Sequence, residues 1–547
     1  MQHDTNGNLL WVATLGGNGT DSAQDVTVAA DGTIVVGGGF SLFYQTDSVY
    51  FGLVGASSPL AATGYGQGDA YVAKSSAAGV FAWAYTLGGG YEDIVNAVDT
   101  DSSGNVIVGG MFGGGSVGAG AAAVSYNGAA VSTLTGMGGY DGFVMKTDPS
   151  GNLLWAVQIG GASDDSITAV AADSVNNIYA SGSCASASCS FGGASGFANN
   201  DQTGLTTDAF LVKLSPTGAV LWSTVVSGTL NDMGTGVAVD TTSATGNVYL
   251  SGSFASPSIT VGLAANAPTI PNMGSSTPAS DGFIAALSPS GAVLWTLHLT
   301  GTGAAEALDV NSAAGQLFIA SSFTNSLAIF GGYSIAESPT SAKATMFFAR
   351  VNAAGVVTML MPIGSDYTGS IATSADGSTV LIAGMLAGSS TYPTAMYGDL
   401  FSGGPQVNLT TNGGYDAVLL SLNVTTATVN TPLTSSPASG AIVYVASPPT
   451  PPGPKFGGLQ NISGRGGLAG IIIGSCLFGL CLGAAVIKGA SSASKPEQPR
   501  SSKMDFIQHG ESDTSAAQAP APVARAAPPP PPDVEQAAPP PAEAEHA

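Results

Sequence analysis

Across the first 430 positions of this 547-residue chain, apolar and polar residues alternate in short runs bounded by Gly, Asp, Asn or Ser. Runs of four to seven residues rich in β-branched and aromatic types predict β-strands, and no stretch of this region suggests a helix. The runs recur in a fixed order. "GNLLWVATLGG" (7–17) returns as "GVFAWAYTLGG" (79–89), "GNLLWAVQIGG" (151–161), "GAVLWSTVVSG" (218–228) and "GAVLWTLHLTG" (291–301), with a weaker copy "GVVTMLMPIGS" at 355–365.

Trp11, Trp83, Trp155, Trp222 and Trp295 are all the tryptophans of the chain, and each occupies the same repeat position; Met359 takes the sixth. Two further modules keep step. One is a turn flanked by strands, as in "AVDTDSSGNVIVGGMF" and "GVAVDTTSATGNVYLSGSF"; the other is a single strand, as in "DGFVMK" and "DAFLVK". Each period of about 70 residues thus supplies four strands, A to D. Four-stranded sheets repeated around an axis make a β-propeller. The expectation is an all-β propeller of about six four-stranded blades over residues 1–430, the intact protein having either six or seven. A tryptophan fixed in each outer strand is expected to pack between blades, burying about 150–250 Å².

The motifs "GNLLW…GG", "AVDTDSSGNVIVGG" and "DAFLVKLSPTGAVLW" resemble the SBBP family of β-propeller repeats, over roughly residues 6–430. The resemblance implies a surface or secreted protein and an architecture, but no particular activity.

The opening run is a D strand without a full A, B and C before it. Two strands compete for the position beside the last C strand, "DAVLLSL": "LLWVATL" (9–15) and "TATVNTPL" (426–433). The first carries Trp11, whereas the second carries Pro432, which cannot donate to a ladder. Closure of the ring by the opening strand is the expectation.

Composition narrows the partners. Only five basic side chains, Lys74, Lys146, Lys213, Lys343 and Arg350, fall within residues 1–430, and the formal charge of the chain is −23. Such a surface repels phosphate backbones, so nucleic acid is excluded as a partner. Asp21, Asp93, Asp165 and Asp232 follow each tryptophan by ten residues, with Glu92, Asp164 and Glu306 nearby. Carboxylates recurring by blade either ring a Ca²⁺ site, which needs six to eight oxygens, or cap backbone N–H groups in turns. No other cofactor is expected. Cys184 and Cys189 form either a disulfide or two free thiols. Of the four histidines only His298 falls inside a blade, and the catalytic signatures of hydrolases, zinc proteases and P-loop enzymes are absent from the sequence. The long connections between strands B and C (41–68, 112–140, 187–207, 255–280, 326–343 and 387–414) emerge with the D–A loops on one face and are expected to form a binding surface.

Composition shifts after residue 430. Residues 431–465 read as a Pro/Ser/Gly-rich stalk. The uncharged run Gly466–Ile487 would span roughly 33 Å as a helix, enough for a bilayer core. Lys488, Lys495, Arg500 and Lys503 follow it, placing the C-terminus in the cytoplasm and the propeller outside, at the plasma membrane or cell surface. That orientation requires a cleaved signal, so the N-terminus is expected to be incomplete. Gly466, Gly470 and Gly474, and then Gly479 and Gly483, form small-residue faces suited to helix dimerisation. Sequons at Asn18, Asn408, Asn423 and Asn461 all precede the span. Residues 488–547 read as a disordered Pro/Ala-rich tail, in which "RAAPPPP" (525–531) fits an SH3 ligand. The functional expectation is a single-pass surface protein presenting a propeller for non-catalytic recognition or adhesion, toward a protein or a glycan. The alternatives are a glycan-acting enzyme with an acidic site at the channel mouth and a structural envelope protein.

Overall fold

The computed structural model describes residues 2–445 except 4–8, 18–19, 43–47, 55–58, 65–67, 114–122, 128, 200–203, 243–245, 274–279, 302–308, 324–326, 337–344, 366, 389–393, 399–405, 411–413 and 425–441. No helix among the described residues is long and apolar enough to cross a membrane. The run 466–487, most of the stalk, the tail, Asn18, Asn461 and Glu306 lie outside the described residues.

All described regular structure is antiparallel β-sheet. The third blade shows the plan: A is Asp165–Ala172, B is Ile178–Cys184, C is Asp208–Leu214 and D is Val220–Ser227, paired in that order. The same order holds in the first blade, from Thr20–Val28 to Phe81–Gly88, and in the second, from Asp93–Thr100 to Leu153–Gly160. It continues through the fourth, from Asp232–Val239 to Val293–Gly301, the fifth, from Asp309–Ala313 to Val357–Ser365, and the sixth, which begins at Tyr367–Thr373. The A strands of successive blades pack side by side. The A–B and C–D turns lie at one end of the strands, called here the lower end; the D–A and B–C connections lie at the upper end.

Burial follows the position of a strand in its blade. Strands B and C of the third blade are buried along their whole length, because neighbouring blades cover both faces. Strand D is only partly covered and keeps Leu221 at 51% exposure. The A strands of the second and third blades each carry a bulge, which aims Asn96 Nδ2 at Ile167 O (2.8 Å) and Thr168 Oγ1 at Gly234 O (2.7 Å), so each of these two donates to the backbone of the next inner strand.

Two expectations are corrected. The blades are not limited to four strands, since four of the sheets have six. In the first five blades the B–C connection folds into a hairpin that joins the preceding D strand, whereas in the sixth Thr394–Gly398 and Gln406–Thr410 form a two-stranded sheet of their own. Ser188–Phe191 and Ala194–Ala198, from the third blade, extend the D strand of the second through Ile159↔Phe191 and Gly160↔Ser190. Ser258–Val261 does the same for the third blade and Leu327–Phe330 for the fourth. The reason is edge protection: an unpaired D strand would expose a row of N–H and C=O groups. The signal was in the sequence. "FGGA" (191–194) and "FGGY" (330–333) each place two glycines at positive φ (57° and 81°, 56° and 87°) between alternating residues, the mark of a two-residue hairpin.

The second correction concerns the opening strand. The outer side of the last C strand, Gly414–Asn423, pairs with Ile442–Val445, a strand within the stretch expected to be stalk, and not with residues 9–15. The opening residues instead rebuild the outer part of a further blade. Gln2–His3 pairs with Leu9–Trp11 as Gln2↔Trp11 and His3↔Leu9, the register of Lys146↔Trp155 and Thr147↔Leu153 in the second blade. Ala13–Gly16 then carries the hairpin Ser48–Leu53 and Leu60–Thr63 of the first blade.

Candidate functional site

At the lower end, the tryptophans clasp one blade to the next. Trp83 Nε1 donates to Pro149 O (3.1 Å), Trp155 to Pro216 O (3.0 Å), Trp222 to Pro289 O (3.0 Å), Trp295 to Ala353 O (2.9 Å) and Trp11 to Ala77 O (3.1 Å). Each acceptor lies in the C–D turn of the following blade. The glycine of that turn has positive φ and lies under the ring: a Cβ on Gly218 would meet Trp155 at 2.9 Å, and one on Gly291 would meet Trp222 at 3.0 Å. The "G…W" motif is therefore read across a blade boundary, each tryptophan recognising the glycine of the next repeat.

The scarce basic residues belong to the same clasp. Lys146 Nζ reaches Pro216 O (3.4 Å) and pairs with buried Asp101 at 2.8 Å; Lys213 Nζ reaches Pro289 O (3.1 Å) and lies 3.7 Å from Asp173. Arg350 donates to Val424 O in the sixth blade. Four basic side chains are described (Lys74, Lys146, Lys213 and Arg350), and all are buried or half-buried. Asp101, in the segment "DTDSSGN" that resembles the start of a calcium loop, closes its own turn by accepting from Ser103, Asn105 and Lys146.

The upper end holds the recurrent acids, and there they cap backbone. Asp93, Asp165 and Asp232 open strand A of their blades and are at most 2% exposed. One oxygen reaches back four residues to the glycine pair ending strand D: Gly89 N to Asp93 (2.9 Å), Gly161 N to Asp165 (2.7 Å) and likewise Gly17 N to Asp21 (2.8 Å). The other takes donors from the start of the B–C connection. Asp93 accepts from Gly113 N (3.2 Å), Asp165 from Ala185 N (3.0 Å) and Ser186 N (3.1 Å), and Asp232 from Ser256 N (3.3 Å). Ser186 Oγ and Ser256 Oγ add a hydroxyl each, at 2.6 and 2.8 Å. Each aspartate thus ties a D–A turn to a B–C connection. Asp164 accepts from Tyr140 N (3.0 Å), and Glu92 from the Tyr140 hydroxyl (3.4 Å).

A second series of acids was missed by sequence reasoning, although the leading "D" of "DAYVAK", "DGFVMK", "DAFLVK" and "DGFIAA" marks it. Asp69, Asp141, Asp208 and Asp281 open strand C and are at most 1% exposed. Asp141 accepts from Met137 N (2.8 Å), and Asp281 from Met273 N (2.9 Å). His298 finds its partner here, with Nε2 2.9 Å from Asp281 and its ring against Phe254. The two series meet at the end of strand D. A Cβ on Gly160 would lie 2.6 Å from Asp141 Oδ1 and 2.7 Å from Asp165 Oδ2, so only glycine fits between the carboxylates. Gly228 sits similarly between Asp208, which accepts from its N–H (3.4 Å), and Asp232. Burial pushes the Asp141 carboxyl up to about 7, with Asp165 adding to the rise. Burial likewise lifts Asp165 to about 6 and Asp232 to about 7, the latter helped by Asp208, and it holds Asp93 well above the ordinary carboxylate range.

The one grouping of metal-ligating side chains among the described residues is already engaged. Asp165, Cys184 and Cys189 offer ligand atoms within 4.8 Å of one another, but the two sulfurs are joined in a disulfide and Asp165 already accepts from four donors. The disulfide ties strand B of the third blade to its hairpin. In the fourth blade Phe254 stands where Cys184 does, opposite the first residue of strand C, and Ile259 stands where Cys189 does. Asn408 lies in the strand Gln406–Thr410 and Asn423 ends strand C of the sixth blade.

Residues 154–183 match the family model of the SBBP beta-propeller repeat. This is a propeller protein. The matched stretch runs from the D strand of the second blade through strands A and B of the third, and so contains Trp155, Gly160 and Asp165. Among curated proteins, an uncharacterized WD repeat-containing protein of Acanthamoeba polyphaga mimivirus is 25% identical over 224 residues, covering 38% of this chain. The match takes in 16% of that protein's length.

Proposed function

We propose that this protein is a membrane-anchored surface propeller whose upper face recognises a macromolecular ligand without catalysis. The observation that carries the reading is the contrast between buried and exposed groups at that face. The recurrent carboxylates are buried and tied to backbone donors, beyond the reach of a substrate. Between them Tyr91, Met137, Leu205, Leu230 and Met273 stand 38–81% exposed on D–A turns and at the ends of B–C connections. The place eight residues after the tryptophan carries Tyr91, Ser163 and Leu230 in turn, so the residue type there varies from blade to blade, as a surface fitted to one ligand requires. The apolar run at 466–487 with its basic flank supports a single span with the propeller outside.

Detergent-solubilised full-length protein tested on a glycan array and on immobilised extracellular-matrix proteins supplies the test. Binding to one class, lost in Tyr91→Ser/Leu230→Ser and kept in the lower-end variant Leu154→Ser/Leu221→Ser, is the expected outcome. Retention by the first variant and loss by the second would move the interface to the other end. For topology, protease added to intact cells should remove the propeller and spare a tag at Ala547.

A further inference from the structure

We propose that the carboxylates of Asp141 and Asp165 hold one proton between them, making the boundary of the second and third blades a joint that closes in acid and loosens in alkali. The pair is built from two blades. Asp141 comes from strand C of the second, Asp165 from strand A of the third, and both face the space over Gly160 at the end of the intervening D strand. Donors are divided unequally between them. Asp165 accepts three N–H groups and the Ser186 hydroxyl, which together favour its ionised form. Asp141 accepts the N–H of Met137 on Oδ2, while its Oδ1 is fully buried without a donor at hydrogen-bonding geometry, the Gln158 amide and the Gly161 N–H being its remaining polar neighbours. A buried acceptor without a donor, beside a second carboxylate, is relieved when the poorer-served acid becomes neutral. The proton comes from solvent and resides on Asp141 Oδ1, and Asp165 keeps the charge.

Among the described residues no cation faces the pair that would do this instead. Asp165 and Asp164 face Asp141 from the third blade. In its own blade strand A contributes Asp93, the loop before it Glu92 with Tyr140, strand B contributes Phe112 and strand D Gln158. Cys184 and Cys189 lie beside Asp165 as a disulfide and do not titrate. The raised values of both acids agree with this arrangement. A group with a raised folded-state value contributes stability that is full below about pH 4, its unfolded range, and lost as pH rises through about 6 to 7. The consequence is local. Asp141 anchors the end of the B–C connection of the second blade and Asp165 the start of that of the third, so loss of the proton sets the two upper loops against each other. Asp208 and Asp232 repeat the geometry around Gly228.

The test compares melting of the full-length protein with that of Asp141→Asn at intervals from pH 4.5 to 8.5. Asparagine mimics the neutral acid. The variant should lie nearest the parent at pH 4.5 and melt higher near pH 8, so that the difference between the curves grows up to about pH 7 and then levels off. Because Asp93, Asp99 and Asp232 titrate in both proteins, the difference isolates this pair. A variant that melts lower by the same amount at every pH would overturn the proposal, and so would one whose curve stays parallel to the parent's. Should Asp141→Asn fail to fold, carboxyl ¹³C titration of the parent decides. An apparent midpoint between 6 and 7 assigned to Asp141 supports the proposal, and an Asp141 midpoint in the ordinary carboxylate range refutes it. Calcium chloride is added at pH 8 as a further arm; a rise in melting there that is absent in Asp141→Asn would assign the space to a cation and reject the proton.

Discussion

At the lower end of the boundary between the second and third blades, Trp155 and Lys146 both donate to the carbonyl of Pro216; at the upper end of the same boundary, Asp141 and Asp165 meet across Gly160. Both joints use a glycine to bring groups from two repeats together, but their electrostatics differ. Below, a cation and an indole N–H satisfy a carbonyl, and the charge of Lys146 is balanced by Asp101 at 2.8 Å. Above, two acids are balanced by backbone dipoles, a hydroxyl and the Gln158 amide, with no cation among the described residues. The lower joint therefore holds at any pH at which lysine is charged, whereas the upper one depends on a proton. Strength and regulation occupy opposite ends of one interface.

The largest effect should come from the lower end. Trp83 is 8% exposed, and Trp83→Ala should destabilise by about 3–5 kcal/mol in denaturant titration, as a large core truncation does. Trp83→Phe should recover most of that, leaving about 1 kcal/mol for the lost bond to Pro149. Next comes Lys146→Met, which strands the buried Asp101 carboxylate and should cost about 3 kcal/mol; adding Asp101→Asn should restore much of it. If the double variant is no better than the single, the carbonyl contact outweighs the ion pair. Replacing Cys184 and Cys189 by Ala should cost about 2 kcal/mol, since the closed loop is short, and chemical reduction of the parent should reproduce the loss. Smaller still is the effect on pH response. Lys146→Met should melt closer to the parent at pH 5 than at pH 8, because protonation relieves the stranded Asp101 carboxylate, and adding Asp101→Asn should remove that difference. Leu230→Ser, on the exposed upper face, should change stability by no more than about 0.5 kcal/mol.

The strand order within a blade was legible because alternation and turn residues act locally. The tryptophan register was legible because a repeat displays its own period. Other features were readable in kind and misassigned in place. The hairpins at "FGGA" and "FGGY" carried a clear turn signal, but nothing local says that a hairpin from one blade pairs with the D strand of the blade before it. The recurrent acids were visible as a series, while their partners were not. Asp165 bonds to Ser186, 21 residues away, and the meeting of Asp141 with Asp165 depends on two blades lying side by side. His298 looked solitary because Asp281 stands 17 residues earlier on the neighbouring strand.

By itself, then, the amino-acid sequence determined the β-class, the repeat length, the four core strands and the positions of the turn glycines, since each depends on neighbours within a few residues along the chain. The tertiary structure decided which edge each hairpin covers, that the last C strand takes Ile442–Val445 as its partner, and that the acids cap backbone donors in pairs. Those outcomes depend on which edges and oxygens remain open once blades stand beside one another, a competition across roughly 20 to 70 residues that no local pattern records.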